Sequence, residues 1–199
     1  MSKQQNKYYN QRGDTLIEVL LSMIILSIIV IGASTLMNSG LRSSINAVEH
    51  TEVRNIIASQ GELLRYVRDT YRSGSNDAIS QVWKQLANPA AGYATTAAAT
   101  SADNCTPGDG GKTAFYLSNN YVDVSQQPQI TIQNYTGNVP SDTRQYAIPG
   151  RGMWIEGVAS TGATPAYIDF YMRSCWSGLG GSAKQQVNSI VRLYVPEGS

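Results

Sequence analysis

Arg12-Gly13-Asp14-Thr15-Leu16-Ile17-Glu18-Val19-Leu20, followed by an apolar run that reaches Leu41, is the stretch on which the reading of this chain turns. Between Val19 and Leu41 no side chain is ionisable. At ~1.5 Å of rise per residue a helix of that length covers about 35 Å, more than the ~30 Å hydrocarbon core of a bilayer. Glu18 stands at its edge, and a carboxylate beside a membrane-length segment is costly enough to point to function. Lys3, Lys7 and Arg12 come earlier, with no acid before Asp14. That asymmetry sets the N-terminus in the cytoplasm and the chain beyond Leu41 outside.

Three plainer readings compete. An ordinary secretory signal would place a small-residue cleavage site at Ile31-Gly32-Ala33, but its apolar region should be about 7–15 residues and lack acids at its entrance. A simple single-pass anchor would leave Glu18 at headgroup level with no further role. A buried core helix does not fit an apolar run this long.

The segment resembles the class III signal of type IV prepilins and pseudopilins. That family has a short basic leader ending in Gly, then usually Phe-Thr-Leu-Ile-Glu-Val-Leu at the start of a long apolar helix. Here Gly13 is followed by Asp14-Thr15-Leu16-Ile17-Glu18-Val19-Leu20, so the departure is Asp14 in the place of Phe. The resemblance covers about the first forty residues. It implies cleavage between Gly13 and Asp14 by a prepilin peptidase on the cytoplasmic side. It also implies that Glu18 pairs with the free amino group of a neighbouring subunit's first residue, and Asp14 lies beside that same group.

Residues 1–13 then read as a leader, polar and basic. Beyond Leu41 the helix is expected to continue as far as Ser73-Gly74-Ser75-Asn76. Leu41, Ile45, Val48, Val53, Ile56, Ile57, Leu64, Val67 and Tyr71 form one apolar stripe, with charges opposite. Gly32, Gly40 and Gly61 are points of softening in it. Residues 77–88 carry a further short helical period, Ile79, Val82, Trp83 and Leu86. A loop rich in Ala, Thr and Gly follows, with turn chemistry at Pro107-Gly108-Asp109-Gly110-Gly111. From Thr113 the period shifts to two, and five short strands are expected around Ala114–Leu117, Ile130–Ile132, Met153–Val158, Ile168–Met172 and Val187–Val195. Their sheet should be antiparallel, one face on the helix stripe and the other wet. The fold class is α+β: a long N-terminal helix, half transmembrane and half amphipathic, packed on a C-terminal antiparallel sheet. The resemblance implies the same type IV pilin-like architecture. By segment this gives a leader 1–13, a membrane and assembly helix 14–41, an amphipathic helix 42–76 and an extracytoplasmic β-rich domain 77–199.

Composition narrows the function. The chain has 15 basic and 14 acidic residues. Loss of the leader removes three of the bases and leaves a small negative excess. Such a balance gives no general nucleic-acid-binding surface and leaves open only a local patch. Cys105 and Cys175 are the two cysteines, both outside the cytosol in this topology, where a single pair forms a disulfide. His50, the one histidine, sits beside Glu49 on the solvated side of the helix with no nucleophile paired to it. Asp103, Asp109 and Asp123 surround the Gly-rich loop but lack the spacing of a calcium loop. Arg12-Gly13-Asp14 would be split by the peptidase. Asn104-Cys105-Thr106 and Asn134-Tyr135-Thr136 fit the glycan acceptor pattern, which in a bacterial-type pilin carries little weight. Twelve tyrosines against two phenylalanines suit half-buried strands. Cys175-Trp176-Ser177-Gly178-Leu179-Gly180-Gly181 is either a plug under the sheet edge or an exposed contact for a partner.

The reading is a structural subunit, not an enzyme and without cofactor or metal. It would be a minor pilin of the PilV-like sort, or a pseudopilin, in a type IV pilus or related filament. It would sit in the cell membrane, then in the filament at the cell surface. Its partners would be other pilin subunits through the N-terminal helix, the prepilin peptidase, the assembly machinery and the membrane. The contrasting reading is a membrane-anchored binding protein that never polymerises.

Overall fold

The computed structural model describes residues 14–75, 77–96, 98, 105–107, 113–120, 129–137, 148–160, 162, 164, 166–178 and 184–196. The leader with Gly13, the aspartates Asp103, Asp109 and Asp123, the acceptor Asn104 and the last residues of the Trp176 loop lie outside them. The first helix, α1, spans Asp14–Ser73. It closes at Gly74, whose φ of 64° is the left-handed conformation that favours glycine at a helix end, with its N–H on Tyr71 O at 3.2 Å. The chain forms two compact units, one ending at Ile45 and one beginning at Asn46.

In the first unit α1 is apolar all round. Leu20, Ile24, Ile28 and Ile31 are each more than half exposed, like every large apolar side chain from Leu16 to Met37 except Ile25 at 49%.

The second unit holds the rest of α1, a second helix and the sheet. Helix α2 is Asp77–Ala87 and buries Ile79, Val82, Trp83 and Leu86, the four positions its period selects. The strands are β1 (Ala94–Thr95), β2 (Phe115–Asn120), β3 (Gln129–Asn134), β4 (Ile148–Pro149), β5 (Gly152–Ala159), β6 (Tyr167–Ser177) and β7 (Lys184–Tyr194). The five long ones follow the order β3-β2-β5-β6-β7, antiparallel throughout. One edge of β5 is shared along its length: β4 pairs at Gly152 and Met153, β2 at Ile155, and β1 at Gly157 and Val158. The short β1 and β4 run parallel to β5, which the period of two could not reveal in two-residue segments. Gly157 is required there, because a Cβ would lie 2.5 Å from Tyr93 O.

The main core joins Val53, Ile57, Leu64 and Val67 of α1 to Trp83 of α2 and to Phe115, Ile155, Phe170, Met172, Trp176 and Val191 of the sheet. The stripe expected on α1 is therefore buried at Val53, Ile57, Leu64 and Val67 and half-buried at Ile56 and Tyr71, while Leu41, Ile45 and Val48 are exposed. The opposite face of the sheet differs from expectation. It is not simply wet: Cys105, Ala114, Tyr135, Trp154 and Cys175 form a second small core on it. Trp154 there alternates with Met153 and Ile155 of the main core, so β5 is buried on both faces, with a pattern closer to a central strand than to an amphipathic one.

Candidate functional site

The candidate site is the N-terminal stretch of α1. Asp14 opens the helix and Glu18 follows one turn later, near the positive end of the helix, which favours a carboxylate. Glu18 is exposed, with no ion pair among the described residues. Gly13, the other side of the expected cleavage point, lies outside the described residues.

The helix beyond is built to live without water. Its hydroxyls do not reach outward: Ser22 Oγ donates to Val19 O at 2.9 Å, Ser27 to Met23 O at 2.7 Å and Ser34 to Val30 O at 2.8 Å. Thr35 Oγ1 reaches the carbonyls of Ile31 and Gly32 at 3.0 and 2.8 Å. These four hydroxyls are thus satisfied inside their own helix, as an apolar surrounding demands. Apolar surface this continuous is far more than a free soluble surface carries, and it calls for lipid or other helices around it. Among the described residues α1 is the one helix long and apolar enough to cross a membrane.

Cys105 and Cys175 are joined, with Cα atoms 5.9 Å apart and 70 residues between them. The bridge closes over the second core. Below it the rings of Tyr135 and Trp154 meet at a tilt of 37° with centroids 5.4 Å apart, and Tyr135 Oη accepts the Gly152 N–H at 3.1 Å. Burial raises the pKa of the Tyr135 phenol, against a smaller lowering from that hydrogen bond. Beside it Glu156, fully buried, accepts from Trp154 Nε1 at 3.1 Å and faces Arg173 Nε at 3.6 Å. The pair is diagonal across β5 and β6, a cross-strand neighbour contact.

His50 is a correction. It is half-buried rather than solvated, its ring edge-on to Trp176 at 5.1 Å and its Nε2 3.3 Å from Gln185 Oε1. Trp176, for which two uses stood open, is fully buried and donates its indole N–H to Glu49 Oε2 at 3.2 Å. The tryptophan is a plug between α1 and the sheet. Neither residue is placed for catalysis, and among the described residues no group of His, Cys, Asp and Glu could hold a metal ion.

Gln60 was missed. It is 3% exposed and brackets Leu117 of β2, accepting its N–H and donating to its carbonyl, both at 2.9 Å. The signal was present: the buried positions Val53, Ile57, Leu64 and Val67 step by four and three, and Gln60 fills the vacant place in that series.

Residues 8–34 match the family described as the prokaryotic N-terminal methylation motif. No curated protein and no solved structure matches the chain. The matched motif and the apolar helix it opens support a prepilin-type, pilin-like structural subunit held in a membrane by its N-terminal segment.

Proposed function

We propose that the chain is a minor pilin or pseudopilin that is cleaved between Gly13 and Asp14 and polymerises through its N-terminal helix into a type IV pilus or related filament. The observation that carries this reading is the methylation motif at residues 8–34, which brackets both Gly13 and Glu18. In the proposal residues 1–13 are the leader, 14–41 the membrane and assembly helix, 42–76 its amphipathic continuation and 77–199 the extracytoplasmic domain. Three bases ahead of the apolar run orient the N-terminus inward.

Glu18 supplies the register. In a lone subunit its carboxylate is accommodated by headgroups, water and the helix dipole. Among bundled helices water is excluded, and an unpaired charge there costs several kcal/mol. The α-amino group of a neighbour's first residue removes much of that cost, so docking positions that leave Glu18 alone are penalised. The test has two arms. N-terminal sequencing of protein from cells should find a chain beginning at Asp14, and a start at Met1 or Ser34 overturns the processing step. Glu18→Gln and Glu18→Ala should be processed, inserted and disulfide-bonded, yet depleted from sheared filaments. If they enter filaments as wild type does, the pairing is wrong and the non-polymerising anchor takes its place.

A further inference from the structure

Strand β7 ends the sheet, and among the described residues it pairs with β6 alone. The Val195 N–H donates to Ala166 O at 2.9 Å, directly across the register, so alternation turns the backbone groups of Val187, Ser189, Val191 and Leu193 toward β6. Those of Gln186, Asn188, Ile190, Arg192 and Tyr194 face the open side. The pairing is unbroken over all 11 residues, without the bulge or proline that often blunts such an edge.

Alongside that edge, and in the same direction, runs α1. His50 Nε2 is 3.3 Å from Gln185 Oε1, and Arg54 and Ala58 line a hollow of about 480 Å³ with residues 186–189. Further on, a Cβ at Gly61 would lie 3.3 Å from Val191 Cγ2, and Arg68 and Arg72 line a cleft of about 790 Å³ with Val195 and Pro196. Arg54, Gly61, Arg65, Arg68 and Arg72 step by seven, four, three and four residues, which sets them on one flank of the helix. Two of these arginines are answered: Glu62 pairs with Arg65, and Asp69 Oδ1 lies 2.6 Å from Arg68 Nη2. Arg54 and Arg72, with Lys84 in the cleft and Lys184 at the head of β7, have no carboxylate partner among the described residues.

Edge and flank together select one kind of occupant. An open edge presents alternating N–H donors and C=O acceptors, which another extended backbone meets in full, whereas a phosphate backbone brings acceptors alone. The basic flank then sets the charge. Every second side chain of an added strand would point to the α1 side of the sheet, where acids would meet the unanswered arginines. A second copy does not suit the edge, because antiparallel pairing of two β7 strands would bring two basic flanks face to face. We propose that the β7 edge takes up an acidic, extended segment of another polypeptide as a further strand, with its acids toward Arg54 and Arg72, independently of how the N-terminal helix assembles.

The test uses the full-length, disulfide-intact chain in a neutral detergent, with a fluorescein-labelled decapeptide of alternating glutamate and threonine as probe. Arg54→Gln and Arg72→Gln should each weaken binding roughly threefold to tenfold. Both side chains are exposed, so these variants should melt as wild type does. Ile190→Pro removes an outward N–H and no bond to β6, so it should fold with its disulfide intact yet bind at least about tenfold more weakly. A pair of modified probes requires no variant to fold. Methylating the backbone nitrogens of the threonines alone, or of the glutamates alone, keeps the charge, and only one of these sets can face β7. The two probes should therefore differ at least about tenfold in affinity. Absence of binding, binding indifferent to Arg54 and Arg72, or equal binding of the two methylated probes overturns the proposal. So does equal competition by a thymidine hexanucleotide, which would make the flank a general anion site. A dimer of the chain alone that Ile190→Pro dissolves also overturns it, by giving the edge to a second copy.

Discussion

Gln60 offers the sharpest test of how the helix and sheet of the globular unit are held together. Its amide satisfies both backbone groups of Leu117, a residue only 1% exposed, on the side of β2 where pairing with β5 stops after Phe115. The side chain therefore stands in for a missing strand. Removing it orphans one N–H and one C=O, each at about 1–3 kcal/mol, for a loss of roughly 2–6 kcal/mol. The groove beside it, about 990 Å³ and lined by Leu63, Tyr66 and Tyr116, admits water, which places the loss nearer the lower figure. For a unit of this size that corresponds to a fall in melting temperature of about 5–15 °C. Trp83, Trp154 and Trp176 are fully buried, so tryptophan emission of the full chain in detergent follows the transition. Gln60→Ala confounds lost bonds with a cavity; Gln60→Leu keeps the volume and should lose nearly as much. If Gln60→Leu melts within about 1 °C of wild type, the two bonds contribute nothing net and the bracket is incidental packing.

Reduction, or the double variant Cys105→Ser with Cys175→Ser, should cost about 4 kcal/mol by the chain-entropy estimate for a loop of 70 residues, and non-reducing peptide mapping should recover the bridge from untreated protein. Tyr135 gives a pH signature. Its phenol titrates above the usual 10.0 when folded, so the stability it supplies is full below that value and is lost as pH rises through the folded pKa. In Tyr135→Phe this alkaline loss should shrink, and stability near neutrality should fall by about 1 kcal/mol with the Gly152 hydrogen bond; chemical denaturation at several pH values measures both. Gly61→Val should destabilise by about 1–3 kcal/mol, because even a Cβ would sit 3.3 Å from Val191 Cγ2, and the same melts would show it.

The parts of the fold that were legible in the sequence are those in which one residue type repeats with one period. Ile79, Val82, Trp83 and Leu86 announce α2, and Ile168, Phe170 and Met172 announce β6, because a one-sided apolar pattern has few ways to be buried. The N-terminal helix was legible for the same reason, and its motif was legible because spacing around Gly13 and Glu18 carries the signal. What stayed hidden is the polar and the doubly buried. Trp154 and Glu156 fall on the face of β5 that alternation assigns to solvent, and the disulfide-tethered segment that covers them is far away in sequence. His50 reads as solvated from its neighbour Glu49, and only the arrival of Trp176 from β6 changes its surroundings. Gly61 reads as a soft point by propensity, whereas its use is to let α1 come close to Val191 and Met172.

The polar contacts that the sequence hid answer a question that its apolar stripe leaves open. A stripe that repeats every three to four residues is nearly self-similar under a shift of one turn, about 5.4 Å, so burial alone fixes which face of α1 meets the sheet but only weakly fixes how far along it sits. Glu49 and Gln60 lie three turns apart on that helix, and each holds a group on a different strand, Trp176 of β6 and Leu117 of β2. A slip of one turn would keep most of the apolar contacts yet strand the indole N–H and both backbone groups of Leu117 at once. Those groups are buried, so the slipped arrangement would incur about three unmet hydrogen bonds, at roughly 1–3 kcal/mol each. Apolar burial thus drives α1 onto the sheet, and these few polar contacts decide the position at which it stops. On the filament proposal that division of labour matters: the N-terminal part of α1 would be held by its neighbours, and an α1 free to creep along its own sheet would leave the globular unit without a defined place on the filament surface.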